Sequence, residues 1–222
     1  EHAPWWLTEH GFAMASIEAR VSSEAIAPAA AHDCKAAVRW LRANAEQYGY
    51  SPDAIGVWGH SAGGNLAALL GTSGDVAELE GDGGNAGVSS CVQAVCDECG
   101  APHDFSWFAR PAIKSRFPGV AGNVHRYFGA PIEERLELAR LVSPQTHISA
   151  NCPPMLLLHG AADTVVPVEE TQYFYQTLKA AGVDATLQIL PGIGHGWDAA
   201  LTRNDIVAFF KRTLVRSATP LR

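Results

Sequence analysis

The chain has 222 residues, of which 47% are apolar, 18% charged and 9% aromatic, and its formal net charge is −7. This composition is too apolar for a disordered chain, lacks the glycine period of collagen, and contains no apolar run long enough to span a bilayer. The 16 lysine and arginine residues are scattered and form no basic stripe, which argues against nucleic acid as a partner. The sequence therefore predicts a globular protein, with residues 1–222 forming one domain.

In the first part of the chain, apolar segments alternate with amphipathic ones. Strands are predicted for the apolar segments at 12–17, 55–58 and 91–96. Helices are predicted at 30–48 and 65–70, and the segment at 71–90, rich in Gly, Asp and Ser, predicts a surface loop. A strand that is apolar along its whole length is typical of a sheet covered on both faces.

The second part of the chain opens with an irregular segment at 98–154, which contains seven prolines and several aromatic residues. This segment predicts a lid or pocket-wall insertion with short helical pieces such as 133–141. Further strands are predicted at 155–159 and 186–190, and further helices at 169–181 and 204–214. Apolar strands separated by helices predict an α/β fold with a mostly parallel sheet and helices on both faces.

The most informative motif is Gly59-His60-Ser61-Ala62-Gly63-Gly64, between the predicted strand at 55–58 and the predicted helix at 65–70. A G-x-S-x-G motif between a strand and a helix is typical of a nucleophile elbow. Glycine lacks a Cβ, so it tolerates a sharp turn and a close backbone approach, which leaves the Ser61 hydroxyl exposed at the start of a helix. The alternative is an ordinary glycine-rich turn, but the flanking strand and helix favour the nucleophile.

A serine hydroxyl needs a base to become a nucleophile, and the base needs an orienting carboxylate. Asp163 follows the predicted strand at 155–159, and His195 lies in a glycine-flanked loop after the predicted strand at 186–190. Active sites of parallel sheets lie at the carboxyl ends of the strands. We therefore expect Ser61, Asp163 and His195 to meet at one edge of the sheet.

Other ionisable residues near predicted strand ends are alternatives. Asp104 follows the third predicted strand and competes with Asp163 as the carboxylate, and Glu98 is a weaker competitor. His60 is expected to pack or hydrogen-bond beside the nucleophile, and His159 to anchor the loop of Asp163. A structural role is favoured over a catalytic role for both histidines.

The five cysteines are an odd number, so at least one of them has no partner within the chain. Cys96 and Cys99 have the spacing of a redox pair or of half a zinc site, but no second such pair and no histidine cluster follows them. Small buried thiols are the favoured interpretation. One disulfide, or metal or redox chemistry, remains as an alternative.

Three segments resemble the α/β-hydrolases of the esterase/lipase superfamily: GHSAGG at 59–64, HGAADTVVP at 159–167 and GIGHGW at 192–197. The stretch HDCKAAVRWL at 32–41, together with GVW at 56–58 and LLGTSG at 69–74, resembles one branch more closely. That branch is the bacterial carbohydrate-esterase-like group, which includes bifunctional feruloyl and acetyl-xylan esterases. The likeness extends over nearly the whole chain.

The resemblance implies a serine ester hydrolase that uses neither a metal nor an organic cofactor. Ser61 would be the acyl nucleophile, His195 the general base and then acid, and Asp163 the orienting carboxylate. The backbone N–H of Ala62 would belong to the oxyanion hole. The substrate would be a small acyl or aryl ester, such as an acetylated or feruloylated carbohydrate.

Three aromatic residues of the irregular segment are candidates for contact with an aryl or sugar group of the substrate. They are Trp107, Phe108 and Phe128. The alternative for each is a place in a small buried core beneath the segment.

The sequence departs from the family pattern at its beginning. Relatives carry an upstream strand that ends in a His-Gly-Gly-Gly-type loop, which supplies further oxyanion donors, and no such loop occurs here. We therefore expect that this chain lacks the first strands of the fold. Two further functions remain as alternatives: a serine peptidase or amidase of the prolyl-oligopeptidase type, and an inactive binding member of the fold.

Overall fold

The centre of the molecule is a sheet of four parallel strands. A computed structural model describes residues 4–215 of the chain. Its strands are β1 (Gly56–His60), β2 (Ala94–Glu98), β3 (Met155–Gly160) and β4 (Ala185–Leu190), and they lie side by side in that order. Because all four run in the same direction, their carboxyl ends lie along one edge of the sheet.

The strands are connected by helices and short turns, as the parallel arrangement requires. The α-helices are α1 (Ala29–Ala43), α2 (Ala45–Tyr48), α3 (Ala62–Thr72), α4 (Pro111–Arg116), α5 (Pro118–Phe128), α6 (Leu136–Leu141), α7 (Val168–Ala180) and α8 (Arg203–Leu214). Short 3₁₀ segments occur at Trp5–His10, Ala77–Leu79, Phe105–Ala109, Ile132–Glu134, Pro144–His147 and Ala199–Leu201.

Each face of the sheet is covered by its own apolar core. On one face, Val95, Met155 and Leu157 pack with side chains of α1, α3 and α7. On the other face, Ala94, Cys96, Leu156 and Leu158 pack with α8 and Leu7. Successive residues of a strand point to opposite faces, so a strand buried on both sides is mainly apolar. This arrangement confirms the predicted α/β fold with helices on both faces.

The segment at 98–154 has a third core of its own. Phe105, Phe108 and Phe128 pack together there, and Leu69 of α3 and Val166 join the same cluster. The rings of Phe105 and Phe128 meet edge to face, with centroids 5.2 Å apart. The aromatic residues of this segment therefore hold its short helices together and against α3.

The predicted strand at 12–17 is wrong. Among the described residues, this segment is irregular and has no ladder partner, and β1 is an outer strand of the sheet. Phe12 contacts Phe210 of α8, with ring centroids 6.2 Å apart, whereas Ile17 is exposed. Phe12 and Met14 are only partly buried and the rest of the segment is exposed. An apolar pattern therefore does not suffice for a strand, which also needs a neighbour that accepts and donates hydrogen bonds.

The remaining elements agree with the prediction apart from their bounds. The predicted helix at 30–48 is divided between α1 and α2, and the predicted strand at 91–96 is β2, which begins at Ala94.

All five cysteines are free thiols, so the alternative of a disulfide is wrong. None of the helices in residues 4–215 combines the length and apolar character needed to cross a lipid bilayer.

The carboxyl end of β3 is joined closely to the loop that follows β4. The N–H groups of Ala161 and Ala162 donate to the carbonyl oxygens of Leu190 and Ile193, at 2.9 and 2.8 Å. A Cβ on Gly160 would lie 2.2 Å from the carbonyl oxygen of Gly194. The close approach of two backbones therefore requires glycine at position 160.

We expect Gly160→Ala to lower the free energy of unfolding by about 1–3 kcal/mol or more, because the added methyl group must push two backbones apart. Gly119→Ala is the matched control, since a Cβ there meets nothing within 4 Å. Denaturant titration should show no loss of stability for the control variant. Equal stability of both variants would contradict the close approach at Gly160.

Candidate active site

Ser61 lies in the sharp turn between β1 and α3. Its backbone has φ 54° and ψ −121°, a conformation that residues with a side chain rarely adopt. The Ser61 N–H donates to the carbonyl oxygen of Glu98 at 2.8 Å, which fixes the turn to the end of β2. A Cβ on Gly59 would lie 2.1 Å from the carbonyl oxygen of Gly63, so these two positions approach as an elbow requires.

A continuous chain of hydrogen bonds joins Ser61, His195 and Asp163. Nε2 of His195 lies 2.8 Å from the Ser61 hydroxyl, and Nδ1 lies 2.7 Å from Oδ2 of Asp163. The carboxylate can only accept, so Nδ1 carries the proton and donates it to Asp163. Nε2 then accepts the hydrogen bond from the Ser61 hydroxyl. The structure thus brings the three sequence-predicted residues together at the carboxyl edge of the sheet.

The Asp163 carboxylate has further donors around it. Oδ1 accepts the N–H groups of Val165 and Val166 at 2.7 and 3.0 Å. Nε2 of the fully buried His159 lies 3.1 Å from Oδ2. Burial alone would raise the pKa of Asp163, but the hydrogen bonds from His159, His195 and the two N–H groups outweigh it and hold this pKa well below its usual range.

His159 is itself oriented by a hydroxyl group. Its Nδ1 lies 2.8 Å from Oγ1 of Thr171, and both side chains are buried. If Nε2–H of His159 points at the Asp163 carboxylate, Nδ1 accepts from Thr171. Nothing in the local sequence distinguishes this threonine from any other on α7, so sequence reasoning missed it.

Asp104 and Glu98, the two alternative carboxylates, lie in environments different from that of Asp163. The carboxylate of Asp104 caps a 3₁₀ turn, with Oδ1 accepting the N–H of Ser106 at 2.9 Å. Asp104 N–H donates to Glu170 at 2.8 Å. Glu98 is buried at the end of β2, where burial raises the pKa of its carboxyl to about 7. His195 thus pairs with Asp163 and not with Asp104.

His60 lies beside the hydrogen-bonded chain. Its Nε2 is 3.3 Å from Sγ of Cys99, and its ring centroid is 5.4 Å from that of His195. The edge of its ring also meets Trp197, at 6.2 Å. The sequence placed His60 next to Ser61, but neither Cys99 nor Trp197 was expected to contact it.

One group of side chains in residues 4–215 has metal-ligand chemistry. Cys99, Asp163 and His195 each offer one ligand atom, and these atoms lie within 4.8 Å of one another. Asp163 and His195 are already engaged in the hydrogen-bonded chain to Ser61. Burial raises the pKa of the Cys99 thiol well above its ordinary value, which disfavours the thiolate that a metal ion needs.

Ala62 is the first residue of α3 and is exposed. The first N–H groups of a helix have no partner within the helix, and they lie at the positive end of its dipole. The N–H of Ala62 is therefore one of the N–H groups that α3 leaves without a partner within the helix, and it follows Ser61 directly in the chain.

The three aromatic candidates for substrate contact differ in exposure. Phe108 and Phe128 have no exposed surface and belong to the core of the segment at 98–154. The structure thus places them in the buried core that was the alternative interpretation, because their neighbours enclose them. Trp107 is half-buried, with its ring 6.2 Å from Tyr173 and the guanidinium of Arg110 over its face.

The parallel sheet, the elbow and the chain order of Ser61, Asp163 and His195 define the α/β-hydrolase fold. Comparison with known proteins agrees with this class. The chain belongs to the BD-FAE family, whose model matches residues 5–178. The matched range includes Ser61 and Asp163 and ends before His195.

Several named relatives are esterases. The chain is 32% identical to Esterase LipC of Mycobacterium tuberculosis over 194 residues, which are 86% of this chain and 47% of LipC. A solved structure of a bifunctional GH43-CE protein of Bacteroides eggerthii is 33% identical with a TM-score of 0.81, covering 93% of this chain and 28% of that one.

A second solved structure is that of an acetyl ester-xyloside bifunctional hydrolase of Caldicellulosiruptor lactoaceticus. It is 27% identical with a TM-score of 0.72, and the match covers 94% of this chain and 71% of that one. The chain spans about half the length of the curated relatives it matches first.

The raised pKa of Glu98 predicts a pH-dependent stability. A carboxyl whose pKa is higher in the folded state stabilises the fold fully below pH ~4.5, and this contribution is lost as the pH rises through about 7. The neutral Glu98→Gln variant avoids this loss. Its free energy of unfolding relative to wild type should therefore rise by about 2–3 kcal/mol between pH 5 and pH 8.

Denaturant titrations at the two pH values measure this difference. Glu46→Gln on the exposed surface of α2 is the control, and its stability relative to wild type should change little over the same range. A Glu98→Gln difference that is constant with pH would contradict the raised pKa.

Proposed function

We propose that this chain is a serine carboxylic-ester hydrolase that works through an acyl-enzyme on Ser61. The observation that carries the proposal is the hydrogen-bonded chain from the Ser61 hydroxyl through His195 to Asp163, at 2.8 and 2.7 Å. A nucleophile, a base and an orienting carboxylate in this geometry suit acyl transfer. The esterase names of the relatives support the same reaction class.

In the first step, the Ser61 oxygen attacks the carbonyl carbon of the ester, while Nε2 of His195 takes the hydroxyl proton. The carbonyl π electrons move to the oxygen and form a tetrahedral oxyanion. The N–H of Ala62, at the positive end of α3, is proposed as a donor to this oxyanion. One such donor is worth about 2.7–4 kcal/mol of transition-state stabilisation in known cases.

In the second step, the tetrahedral species collapses and expels the alcohol, which takes the proton from His195. Ser61 now carries the acyl group. Water then repeats the attack, with its proton going to His195, and the acid leaves as the Ser61 hydroxyl regains its proton. The net reaction consumes one ester and one water and yields one acid and one alcohol.

Asp163 is proposed to hold His195 in the required tautomer and to stabilise the imidazolium that forms in each step. This role needs an ionised carboxylate. The donors from His159, His195 and the two backbone N–H groups keep the pKa of Asp163 low, so it stays ionised throughout the neutral range.

We propose small acyl or aryl esters, such as acetylated or feruloylated carbohydrates, as the substrate class. Two similar solved structures support this class: a truncated form of a carbohydrate esterase from gut microbiota, and the acetyl ester-xyloside bifunctional hydrolase. Trp107 is only partly buried. It remains the aromatic candidate for stacking on an aryl or sugar group.

The carboxylate assignment predicts a difference between two Asp→Asn variants. Asp163→Asn should lower kcat for an aryl acetate by about 10³–10⁴-fold, because the amide no longer selects the reactive tautomer of His195. Asp104→Asn should stay within about threefold of wild type, because asparagine also caps a turn. Initial-rate kinetics of wild type, both variants and Ser61→Ala measure these effects.

Loss of activity in Asp104→Asn alone would contradict the assignment of Asp163.

Acetanilides of matched leaving groups test the reaction class, since preferred cleavage of the anilide would indicate the amidase alternative. A serine-directed fluorophosphonate should label the wild-type protein once, and Ser61→Ala should remain unlabelled. A folded wild-type protein that neither labels nor turns over would overturn the proposed function.

A further inference from the structure

Asp97 of β2 is a buried carboxylate that lies outside the hydrogen-bonded chain of the site. Its side chain is 1% exposed. Oδ1 accepts the N–H of Gly100 at 2.8 Å, and Nε2 of His103 lies 2.7 Å from Oδ2. A Cβ on Gly64 would lie 2.5 Å from Oδ1, so the carboxylate lies against the backbone of the first turn of α3. A buried carboxylate is costly without donors, so these two bonds stabilise it where it lies.

His103 supplies one of the two donors and is itself enclosed. Its ring stacks on that of Phe174 of α7, with centroids 4.2 Å apart and an angle of 6° between the planes. A carboxylate can only accept, so Nε2 carries the proton and donates it to Asp97. Nδ1 has no hydrogen-bond partner among residues 4–215. Within the described part of the chain, hydrogen bonding therefore holds this imidazole through Asp97 alone.

The turn at 98–102, between these two residues, carries the groups that hold the nucleophile elbow. The carbonyl oxygen of Glu98 accepts the N–H of Ser61 at 2.8 Å. The carbonyl oxygen of Pro102 accepts the side-chain amide of Asn65, in the first turn of α3. The N–H of Asn65 donates in turn to the carbonyl oxygen of Ser61 at 3.0 Å. The turn therefore holds Ser61 directly at its N–H and, through Asn65, at its carbonyl group.

The backbone of this turn adopts an unfavourable conformation. Cys99 has φ 45°, in the left-handed region that residues with a side chain rarely occupy. The bond from the N–H of Gly100 to Asp97 stabilises the turn directly after Cys99, and the bond from His103 closes it at its other end. Without these bonds, the two carbonyl oxygens that hold the elbow would have no fixed direction.

We propose that Asp97 and His103 are positioning residues for Ser61, acting through the turn at 98–102 that their hydrogen bond closes. This inference rests on the proposed role of Ser61 as the nucleophile. A displaced elbow would move the Ser61 hydroxyl away from the base. The base and its orienting carboxylate would stay in place, because they follow β4 and β3 and not β2.

Two substitutions of His103 separate its hydrogen bond from its shape. His103→Phe keeps a ring that can stack on Phe174 but has no donor, whereas His103→Gln has an amide that can donate to Asp97 but no ring. Loss of the donor leaves one oxygen of a buried carboxylate without a partner, which costs more than a lost ring contact. We therefore expect His103→Phe to be the more damaging change.

His103→Phe should lower kcat for an aryl acetate by about 10–100-fold with KM within threefold of wild type, since a misplacement of about 1 Å can cost about 100-fold. His103→Gln should keep kcat within about threefold. His147→Phe is the matched control, because it makes the same exchange at a partly buried histidine whose Nε2 lies 2.7 Å from the carbonyl oxygen of Leu141, outside the turn. It should keep kcat within twofold.

Labelling by a serine-directed fluorophosphonate distinguishes a displaced elbow from a loss of folded protein. In His103→Phe the labelling rate per folded molecule should fall together with kcat, with the folded fraction measured by circular dichroism. A merely structural role would lower the folded fraction and leave both rates per folded molecule at the wild-type value. His147→Phe should label at the wild-type rate.

Asn65→Leu provides a second test in case His103→Phe does not fold, because it removes the amide that donates to the turn and keeps a similar volume. It should show the same decrease of kcat with KM within threefold of wild type. Initial rates of wild type and of the four variants are measured under the same conditions.

The inference is overturned if either His103→Phe or Asn65→Leu, when folded, keeps kcat within twofold of wild type. It is also overturned if His103→Gln loses as much activity as His103→Phe, or if His147→Phe causes the same loss. Turnover that survives Ser61→Ala would instead contradict the proposed function. Dependence on Ser61 with wild-type kcat in the His103 variants removes only the positioning inference.

Discussion

The Asp163 carboxylate is the point on which the geometry of the site depends. Its Oδ2 holds Nδ1 of His195, and its Oδ1 is held by the N–H groups of Val165 and Val166. A buried carboxylate is costly unless donors surround it. The buried side chain of His159 supplies one more at 3.1 Å. These donors stabilise the ionised form and at the same time fix its direction, so the imidazole of His195 has one favourable orientation.

The parallel sheet explains why this carboxylate can meet a serine 102 residues earlier in the chain and a histidine 32 residues later. Ser61 follows β1, Asp163 follows β3 and His195 follows β4, and the three strands end at the same edge. Close packing of the strand ends then sets the distances. Glycine at positions 59 and 160 lets backbones approach where any side chain would separate them. Stability of the two apolar cores is therefore also a condition for the hydrogen-bonded chain.

Features encoded locally could be predicted from sequence, whereas features set by tertiary neighbours could not. The positions of Ser61, Asp163 and His195 follow from glycine-containing turns after apolar strands, and the structure brings them together. The segment at 12–17 has an apolar pattern but no ladder partner, which a single segment cannot reveal. Phe108 and Phe128 are buried by residues distant in sequence. The same holds for Thr171, whose hydroxyl group bonds to a histidine that lies on another element.

Proton NMR tests the central interaction most directly, because a histidine N–H shared with a carboxylate resonates far downfield of the backbone amide protons. The buried pair of His103 and Asp97, with Nε2 2.7 Å from Oδ2, should give one such resonance in every variant. The account predicts a further one from Nδ1–H of His195 in the wild-type protein. It should be absent from Asp163→Asn and His195→Gln and retained in Asp104→Asn. Persistence of the resonance in Asp163→Asn, or its loss in Asp104→Asn, would contradict the account.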